Sequence, residues 1–324
     1  MKALIYTGPE TLELSDVPMP APAEDHHLVR IDSVGICGSD MHAFLGHDER
    51  RPAPLILGHE AAGVVSGGPM DGARVAINPL VWDPATPESR AGRENICPNR
   101  QILSLPPREG AFAEYVAVPG RNLVTVPDHV PLSQAALAEP IAVSWHAVRL
   151  GLEALHPSMD RRAIVIGAGA IGVAAYRALE AMGAVDVTLV EPIAARRDYL
   201  ATRHGMRAIG AAEGPAPLVI DAVGLAATRA SASALAAPGG VIVHIGLGED
   251  RGGLDIRRMT LQEIAFIGTY TYTARDFRDC AEAMWDGRLG PLDWIEERPL
   301  ADGPRAFAEI RAGAVTVPKI VLRP

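Results

Sequence analysis

The chain has 324 residues, 48% of them hydrophobic and 21% charged, with a formal net charge of −9, which is typical of a globular protein with one large domain or two smaller ones. The acidic balance and the lack of a basic run argue against a nucleic-acid-binding protein, and no apolar stretch is long enough for a membrane span. The first residues lack the layout of a signal peptide, and three cysteines make no disulfide framework. We therefore expect a cytoplasmic protein with no nucleic-acid or membrane partner.

The first 130 residues are interrupted by Pro and Gly every few positions. Short runs of alternating apolar and polar residues lie between these interruptions, as in residues 28–34 and 114–118. This pattern is typical of a strand-rich domain with long loops. Residues 84–99 are its most polar stretch and are predicted to form a surface loop.

From about residue 132 the pattern becomes helical, first over residues 133–137 and then over residues 141–150. Strands alternate with helices from residue 163 onward, which predicts a doubly wound parallel sheet and hence an α/β fold. The alternation continues through predicted strands at residues 218–224, 241–246 and 263–268 and predicted helices at residues 226–235 and 274–285. A last predicted strand, residues 319–322, lies too far along the chain to belong obviously to that sheet.

The most informative motif is a glycine pattern at the start of this alternation. Residues 163–166 are predicted to form a buried strand, and Gly167, Gly169 and Gly172 follow with the spacing G-x-G-x-x-G. In a dinucleotide site such glycines allow a tight turn, the close approach of a pyrophosphate and close packing of helix on strand. The next helix would present its N–H groups to phosphate, and Glu191, after the next strand, would bind a ribose. A glycine-rich turn in some other α/β fold is the alternative interpretation.

A second group of reactive residues lies in the strand-rich part of the chain. Cys37 is followed 22 residues later by His59 and Glu60, and both segments contain glycines. Thiolate, imidazole and carboxylate are ligands that zinc accepts, and a catalytic zinc takes three protein ligands and keeps one position open. Taken singly, Cys37 would be a small buried residue and His59 a hydrogen-bonded core histidine. Their position ahead of a nucleotide fold favours a zinc site.

Together these motifs resemble those of the zinc-dependent medium-chain alcohol/polyol dehydrogenase family, most of all its sorbitol and threonine dehydrogenase branches. The resemblance covers nearly the whole chain, and motifs in this order are specific to the family. The segments that carry it are residues 35–40 (GICGSD), 58–60 (GHE), 139–140 (EP), 167–172 (GAGAIG) and 319–321 (KIV).

The resemblance implies a fold of two domains. One is a GroES-like, β-rich catalytic domain that binds zinc and is built from both ends of the chain, residues 1–145 and 289–324. The other is a Rossmann dinucleotide-binding domain, residues 146–288, inserted between them. This arrangement would account for the isolated last strand. The family resemblance also implies a homo-oligomer, either a dimer or a tetramer.

The resemblance further assigns the zinc ligands. Cys37 and His59 are similar to the two ligands that the metal-dependent members share. Glu60 is a ligand in the polyol branch, whereas Glu139 lies where the alcohol branch has its third ligand, a cysteine, and both remain candidates. Asp40 is similar to the carboxylate that orients the ligand histidine.

For catalysis the resemblance implies a proton relay, in which Ser39 binds the substrate hydroxyl group and His42 passes its proton to solvent. An ordinary half-exposed loop histidine is the alternative interpretation of His42. Asp40 and Glu60 complete the expected catalytic set. The positions that match the family's NAD contacts are Gly167, Gly169, Ile171, Gly172, Glu191, Arg196, Ile245, Gly246, Leu247, Thr269 and Tyr270.

One departure from the family pattern concerns a second, structural zinc, which many relatives hold with four cysteines spaced C-x2-C-x2-C-x7-C. The corresponding positions here are Asp83, Thr86, Ser89 and Cys97, so three of the four thiolates are missing. A closed structural site needs four good ligands. We therefore expect one zinc ion per chain, at the catalytic site.

The implied reaction is the reversible oxidation of a secondary alcohol, in which zinc polarises the hydroxyl group and NAD accepts a hydride. Polyols, sugar acids and amino-alcohols all fit as substrates, and the residues that would choose between them are not identified by the sequence. One alternative is a zinc-free NADPH reductase of the same superfamily, which would lack Cys37, His59 and Glu60 together. The other is a non-catalytic nucleotide-binding protein on the same scaffold.

Overall fold

The protein is described by a computed structural model that covers residues 1–212 and 214–324. The chain divides into two compact units, so that both of its ends lie in unit 1. The domain boundaries expected from the sequence stay a prediction. Unit 1 comprises Met1–Glu139, Thr273–Asp286 and Leu292–Pro324, and unit 2 comprises Pro140–Tyr272 and Gly287–Pro291.

The described residues form strands along the whole chain. They are β1 (Lys2–Gly8), β2 (Thr11–Asp16), β3 (His26–Gly35), β4 (Leu55–Ile56), β5 (Glu60–Val65), β6 (Arg74–Ile77), β7 (Leu80–Val81), β8 (Gln101–Ile102), β9 (Tyr115–Pro119), β10 (Leu123–Thr125), β11 (Arg162–Ile166), β12 (Asp186–Val190), β13 (Ala208–Ile209), β14 (Ala216–Asp221), β15 (Ala236–His244), β16 (Ala265–Gly268), β17 (Ile295–Pro299) and β18 (Lys319–Arg323).

Helices connect or flank these strands. They are α1 (Gly38–Phe44), α2 (Pro87–Arg90), α3 (Leu132–Ala135), α4 (Ala138–Ala154), α5 (Ala170–Ala181), α6 (Ala194–His204), α7 (Ala226–Leu235), α8 (Ile256–Leu261), α9 (Ala274–Trp285) and α10 (Gly303–Arg311), with short 3-10 turns at Glu94–Ile96, Gly120–Asn122 and Leu300–Asp302. Within the described part of the chain, no helix has the length and apolar character needed to cross a membrane.

The largest sheet of unit 1 has seven strands in the order β10-β6-β5-β3-β18-β17, with β9 also paired to β3. Strands β3 and β5 are antiparallel, and their register pairs Gly35 with Glu60. The last strand predicted from the sequence is present as β18, which pairs with the end of β3 at Val321 and Gly35. The end of β3, the start of β5 and the C-terminal strand therefore meet at one point of this sheet. Two smaller sheets, β2-β1-β4 and β7-β8, complete the unit.

The core of unit 1 constrains the backbone next to one predicted ligand, His59. The rings of Phe112 and Phe307, both fully buried, pack edge to face with 6.0 Å between centroids. Gly58 has a φ of +88°, and a Cβ atom at this position would lie 2.5 Å from the Phe112 ring. The left-handed conformation and the close ring both require glycine here, so core packing holds the chain immediately before His59.

Unit 2 contains a six-stranded sheet in the order β13-β12-β11-β14-β15-β16, and every pair in it is parallel. The predicted doubly wound parallel sheet is therefore confirmed. Strand β14 is buried along its whole length, as expected for a parallel strand covered on both faces. This is why such strands are recognisable in the sequence as short, continuous apolar runs.

Several predicted elements differ in extent from the observed ones. The run at residues 173–182 predicts the helix observed as α5, which begins three residues earlier, at Ala170, and thus includes Gly172. Strand β15 begins at Ala236, five residues before the predicted start. The predicted surface loop contains α2, because the Thr86 side chain accepts a hydrogen bond from the Ser89 N–H and Pro87 occupies the first helical turn.

Candidate active site

Three of the predicted metal ligands, Cys37, His59 and Glu60, lie together in unit 1. Cys37 follows β3 at the N-terminus of α1, and Glu60 is the first residue of β5. The atoms that these three side chains could offer to a metal all lie within 4.8 Å of one another. The antiparallel register of β3 and β5 brings them together. Gly35 makes room for the carboxylate, since a Cβ atom there would lie 2.1 Å from Glu60 Oε2.

Asp40 lies directly behind this cluster and is fully buried. Its Oδ2 accepts a hydrogen bond from the Cys37 N–H (3.0 Å), and its Oδ1 accepts one from the Gly58 N–H (3.2 Å). Oδ1 also lies 3.4 Å from His59 Nδ1. The contact at Nδ1 leaves Nε2 as the ring nitrogen available to a metal, which is the role predicted for a carboxylate that orients a ligand histidine.

The electrostatics of this pair favour its charged form. Burial raises the pKa of the Asp40 carboxyl, but the charge and hydrogen bond of His59 outweigh burial, so its pKa lies below the ordinary value. Burial likewise lowers the pKa of His59, but Asp40 outweighs this and holds that pKa well above the ordinary range. Asp40 therefore makes the imidazole more basic, and a more basic imidazole is a better donor to a metal.

Lys319 is a functional-site residue that our sequence reasoning missed. It begins β18, is buried, and donates hydrogen bonds from Nζ to both Glu60 carboxylate oxygens at 2.7 Å and to the Ile36 carbonyl at 2.9 Å. Burial alone would lower the pKa of this ammonium, but the Glu60 charge outweighs burial and raises it. One sequence signal was available, because Lys319 is one of only two lysines in the chain and starts an apolar strand.

Glu139, the other candidate for third ligand, is also buried in unit 1, at the start of α4. Its charge contributes to the raised pKa of Lys319. Burial is the main cause of the well-raised pKa of Cys280, to which Asp276 and then Glu139 also contribute. Among the described residues, however, the group of potential ligand atoms within 4.8 Å of one another consists of Cys37, His59 and Glu60 and does not include Glu139.

The two residues of the predicted relay lie on α1. Ser39 is half-buried and follows Cys37 by two positions, whereas His42 is exposed near the end of the helix. Residues three apart on a helix share a face, so Ser39 and His42 lie on the same side of α1. Ser39, at the half-buried end of this face, is two residues from Cys37, and His42, at its other end, is exposed.

The glycine pattern in unit 2 has the geometry that a dinucleotide site requires. Gly167 follows β11 with a φ of +97°, which a side chain would rarely tolerate. A Cβ atom at Gly172 would lie 1.8 Å from the Gly167 carbonyl oxygen, so glycine allows the helix to approach the strand. A Cβ atom at Gly169 would point into open space. That space borders the N-terminus of α5, which begins at Ala170, and it suits a phosphate group.

Glu191 lies where the predicted ribose ligand should be, directly after β12. Its carboxylate is already held by the backbone: Oε2 accepts a hydrogen bond from the Ala168 N–H (3.1 Å) and Oε1 accepts one from the Ile193 N–H (2.9 Å). These bonds tie Glu191 to the glycine turn and fix its direction. Arg196 and Arg197 follow on α6, and Arg197 Nη1 donates to the Glu191 carbonyl oxygen at 2.9 Å.

The remaining predicted nucleotide contacts lie near the same edge of the parallel sheet. Because β11, β12, β15 and β16 are parallel, the segments that follow them all leave the sheet at its carboxyl edge, where ligands bind in this class of fold. The Thr269 N–H donates to the His244 carbonyl oxygen at 3.0 Å, which joins the segment after β16 to the end of β15. The residues after these strands are Ile171 in α5, Ile245, Gly246 and Leu247 after β15, and Thr269 and Tyr270 after β16.

The four positions of the expected structural-zinc lobe are also close together. The Thr86 hydroxyl lies 3.0 Å from Ser89 Oγ and 3.5 Å from Cys97 Sγ, and the Cys97 thiol donates to the Asp83 carbonyl oxygen at 3.8 Å. Thr86, Ser89 and Cys97 therefore partner one another through neutral hydrogen bonds, whereas the Asp83 carboxylate binds the Ala85 N–H and the Asn99 amide. One thiol, one carboxylate and two hydroxyls are a poor donor set for structural zinc, which prefers thiolate and imidazole.

From these two donor sets we expect one zinc ion per chain in the zinc-saturated protein, measured by elemental analysis. Cys97→Ser should retain that ion, because the lobe is held by hydrogen bonds. His59→Ala should lose it, because two remaining ligands bind zinc weakly. Two tightly held ions per chain, or loss of zinc from the Cys97 variant, would contradict this expectation.

Comparison with known proteins covers both units. Two family models match the chain: an alcohol dehydrogenase GroES-like domain over residues 23–128 and a zinc-binding dehydrogenase over residues 170–286. L-galactonate-5-dehydrogenase of Escherichia coli K12 is 31% identical over 308 residues, 89% of this chain and 88% of that protein. D-xylulose reductase of Saccharomyces cerevisiae is 28% identical over 338 residues, 95% of this chain and 93% of that protein.

Solved structures of dehydrogenases share the fold of this chain. A zinc-binding dehydrogenase from Sinorhizobium meliloti, bound to NADP, superposes with a TM-score of 0.88. Its sequence is 26% identical, and the match covers 100% of this chain and 99% of that one. Sequence and structure comparisons therefore agree over almost the full length of the chain.

Proposed function

We propose that this chain, which belongs to the zinc-dependent medium-chain alcohol/polyol dehydrogenase family, acts on a polyol or a sugar acid. It is an oxidoreductase that catalyses the reversible oxidation of a secondary alcohol with a nicotinamide dinucleotide. The substrate class is supported by the names of two relatives, which specify a sugar acid and a ketose. The observation that carries the proposal is the cluster of Cys37, His59 and Glu60, because a thiolate, an imidazole and a carboxylate suit a catalytic zinc.

In this proposal Cys37, His59 and Glu60 hold the metal. When bound, zinc would supply a Lewis acid that polarises the substrate hydroxyl group. The thiolate and the carboxylate carry two negative charges that would attract a divalent ion, although Lys319 offsets part of the charge of Glu60. Asp40 orients the His59 ring through the contact at Nδ1. Membership of the cluster supports Glu60 over Glu139 as the third ligand.

The proton of the substrate hydroxyl group leaves through Ser39 and His42 in the proposed relay. Ser39 is two residues from Cys37 and half-buried, so its hydroxyl group is proposed to bind the substrate oxygen beside the metal. His42 is exposed and lies on the same face of α1. It can therefore exchange protons with solvent, as the last group of a relay must.

The dinucleotide is proposed to bind at the carboxyl edge of the sheet in unit 2, with its pyrophosphate at Gly169 and its ribose at Glu191. The cofactor supplies the hydride chemistry, and the protein supplies binding and orientation. The open space at Gly169 and the backbone-held carboxylate of Glu191 support these two positions. The predicted contacts after β15 and β16 lie at the same edge.

A screen of alcohol oxidation tests both the reaction and the choice of cofactor. With NAD and the zinc-loaded protein, we expect reduction of the cofactor with at least one polyol or sugar acid and weaker activity with simple amino-alcohols. His59→Ala should abolish the activity, since it removes a proposed ligand. No turnover across a broad panel of alcohols would contradict the proposed enzyme and favour a non-catalytic scaffold.

The same screen should show a preference for NAD over NADP of ~10²-fold in kcat/KM, since the Glu191 carboxylate would repel a 2′-phosphate brought close to it. Glu191→Ala should remove most of this preference. Arg196→Ala is a control for the positive charge of Arg196, five residues after Glu191, because this charge would attract the 2′-phosphate of NADP once Glu191 is removed. A ratio that favours NADP in the parent, or that Glu191→Ala leaves unchanged, would contradict the assignment.

The proposal also includes a cytoplasmic homo-oligomer, a dimer or a tetramer. The three cysteines are all free, which suits a reducing compartment. Strand β16 is the last strand at one edge of the parallel sheet, and Ile256 and Leu261 on the preceding helix are exposed. An unpaired strand edge with apolar residues nearby is a feature that a second copy of the chain could cover.

A further inference from the structure

We propose that Arg51 is a positioning residue that holds Ser39 in place for the proton relay. This inference rests on the proposed function of Ser39. Arg51 lies in the loop between α1 and β4, between the two ligand-bearing segments at residues 35–40 and 58–60, and its side chain is only 4% exposed. Arginine is rarely buried to this extent without a specific set of partners.

The guanidinium of Arg51 has such a set. Its Nη1 donates to the Ser39 carbonyl oxygen and to Asp48 Oδ2, both at 3.0 Å. Its Nε donates to the Ser104 carbonyl oxygen at 2.9 Å. Arg51 therefore joins three segments of unit 1: the first turn of α1, the loop that follows α1, and the turn at Ser104.

The Ser104 turn leads back to the metal cluster. Ser104 is fully buried and has a φ of +65°, a left-handed conformation that a serine adopts only when its surroundings hold it there. The bond from Arg51 Nε to its carbonyl oxygen is one such restraint. Ser104 Oγ lies 3.5 Å from Arg51 Nη2 and 3.4 Å from His59 Nδ1, beside Asp40. The buried guanidinium of Arg51 thus connects the Ser39 backbone, through Ser104, with the Nδ1 side of the His59 ring.

The bond to Ser39 is the part of this network that acts on the relay. In a helix the carbonyl group of Ser39 normally accepts a single hydrogen bond, from the N–H four residues later. The additional bond from Arg51 restrains the peptide plane at Ser39 and hence the direction of its Cα–Cβ bond, from which the hydroxyl group projects. A planar guanidinium can reach acceptors in several directions at once, which a lysine ammonium does less well. The negative charge of Asp48 compensates its burial.

The test compares Arg51→Gln and Arg51→Lys with a matched control, Arg50→Gln, in the zinc-loaded full-length chain. Arg50 is the sequence neighbour, is 66% exposed and binds the same carboxylate, Asp48. Arg51→Gln should lower kcat by about 10- to 100-fold, the range typical of residues that orient catalytic groups at metal sites. KM for the alcohol should change by less than threefold, and zinc content should stay at the parental value. Arg51→Lys should recover part of kcat, and Arg50→Gln should match the parent.

A double-mutant cycle shows whether Arg51 acts through Ser39. If it does, Arg51→Gln should lower kcat by less than threefold in a Ser39→Ala background, because the group that it positions is already gone. Arg51→Lys is tested in the same background, so the cycle does not depend on one variant being stable. Full, multiplicative losses in both cycles would overturn the inference and leave the proposed function intact. Loss of zinc from the Arg51 variants would likewise overturn the inference. Near-parental activity of Ser39→Ala alone would overturn both the relay and this inference.

Discussion

Replacing Lys319 with methionine should lower the free energy of unfolding of the metal-free protein by about 3–5 kcal/mol, the usual cost of removing one partner of a buried ion pair. The side chains of Lys319 and Glu60 are only 3% and 1% exposed, and Nζ contacts both carboxylate oxygens. Methionine is of similar length, so the change removes the charge with little change in packing volume. Glu60 is then left as a buried, uncompensated carboxylate, which is the physical origin of the loss.

Zinc should moderate this effect, since a divalent ion at Cys37, His59 and Glu60 supplies the positive charge that Lys319→Met removes. Denaturant unfolding of the variant with and without zinc should therefore show a smaller loss in the loaded protein. Lys2→Met is the matched control, because Lys2 is the only other lysine and pairs with Asp16 on the surface, where it is 53% exposed. The control should change stability by less than about 1 kcal/mol. Equal losses in the free energy of unfolding for Lys319→Met and Lys2→Met would contradict a specific contribution of the buried Lys319–Glu60 pair to stability.

Ser39→Ala is expected to lose roughly 10²- to 10⁴-fold in kcat/KM, the range that general acid–base groups contribute. Ser39 is half-buried and two residues from Cys37, so in the proposed relay it is the group next to the metal. His42→Ala should lose less, because His42 is exposed and solvent can take over part of its role. Zinc content should be parental in both variants. An added amine buffer should restore rate to the His42 variant but not to the Ser39 variant.

His47→Ala provides the control for the relay, because His47 is another exposed histidine just after α1. It should keep parental activity and should not respond to the amine buffer. If Ser39→Ala retained near-parental activity on every good substrate with zinc bound, the proton would leave by another route. Glu60 and Glu139, two buried carboxylates of unit 1, would then be the candidates.

The nucleotide half of the chain was predictable because its signals are local. Gly167, Gly169, Gly172 and Glu191 lie within one strand–helix–strand unit, and each residue answers a requirement of its own turn, helix or strand. Parallel strands buried on both faces also form continuous apolar runs that can be recognised without knowing their neighbours. The ends of some elements were misjudged, as at β15, because helix and strand limits depend on neighbouring hydrogen bonds. The helices α6 and α8 and the short strand β13 were not predicted.

The metal half was predictable in its residues but not in their arrangement. The sequence and its family resemblance named Cys37, His59, Glu60 and Glu139 without choosing between the two carboxylates. The choice depends on the register of β3 and β5, which pairs Gly35 with Glu60 and brings Glu60 to the other two side chains. Strand register is set by packing across the sheet, so it is not a property of either segment alone.

The amino-acid sequence by itself therefore determined the fold class and the dinucleotide motif, because each depends on residues close together in the chain, and with the family resemblance it named the candidate reactive side chains. Only the tertiary structure decided which groups control those side chains. Lys319 meets Glu60 across 259 positions, and Arg51 meets Ser104 across 53. Such contacts have no periodicity and no fixed spacing, since they exist only where the folded sheet brings distant segments together and buries their charges in one place.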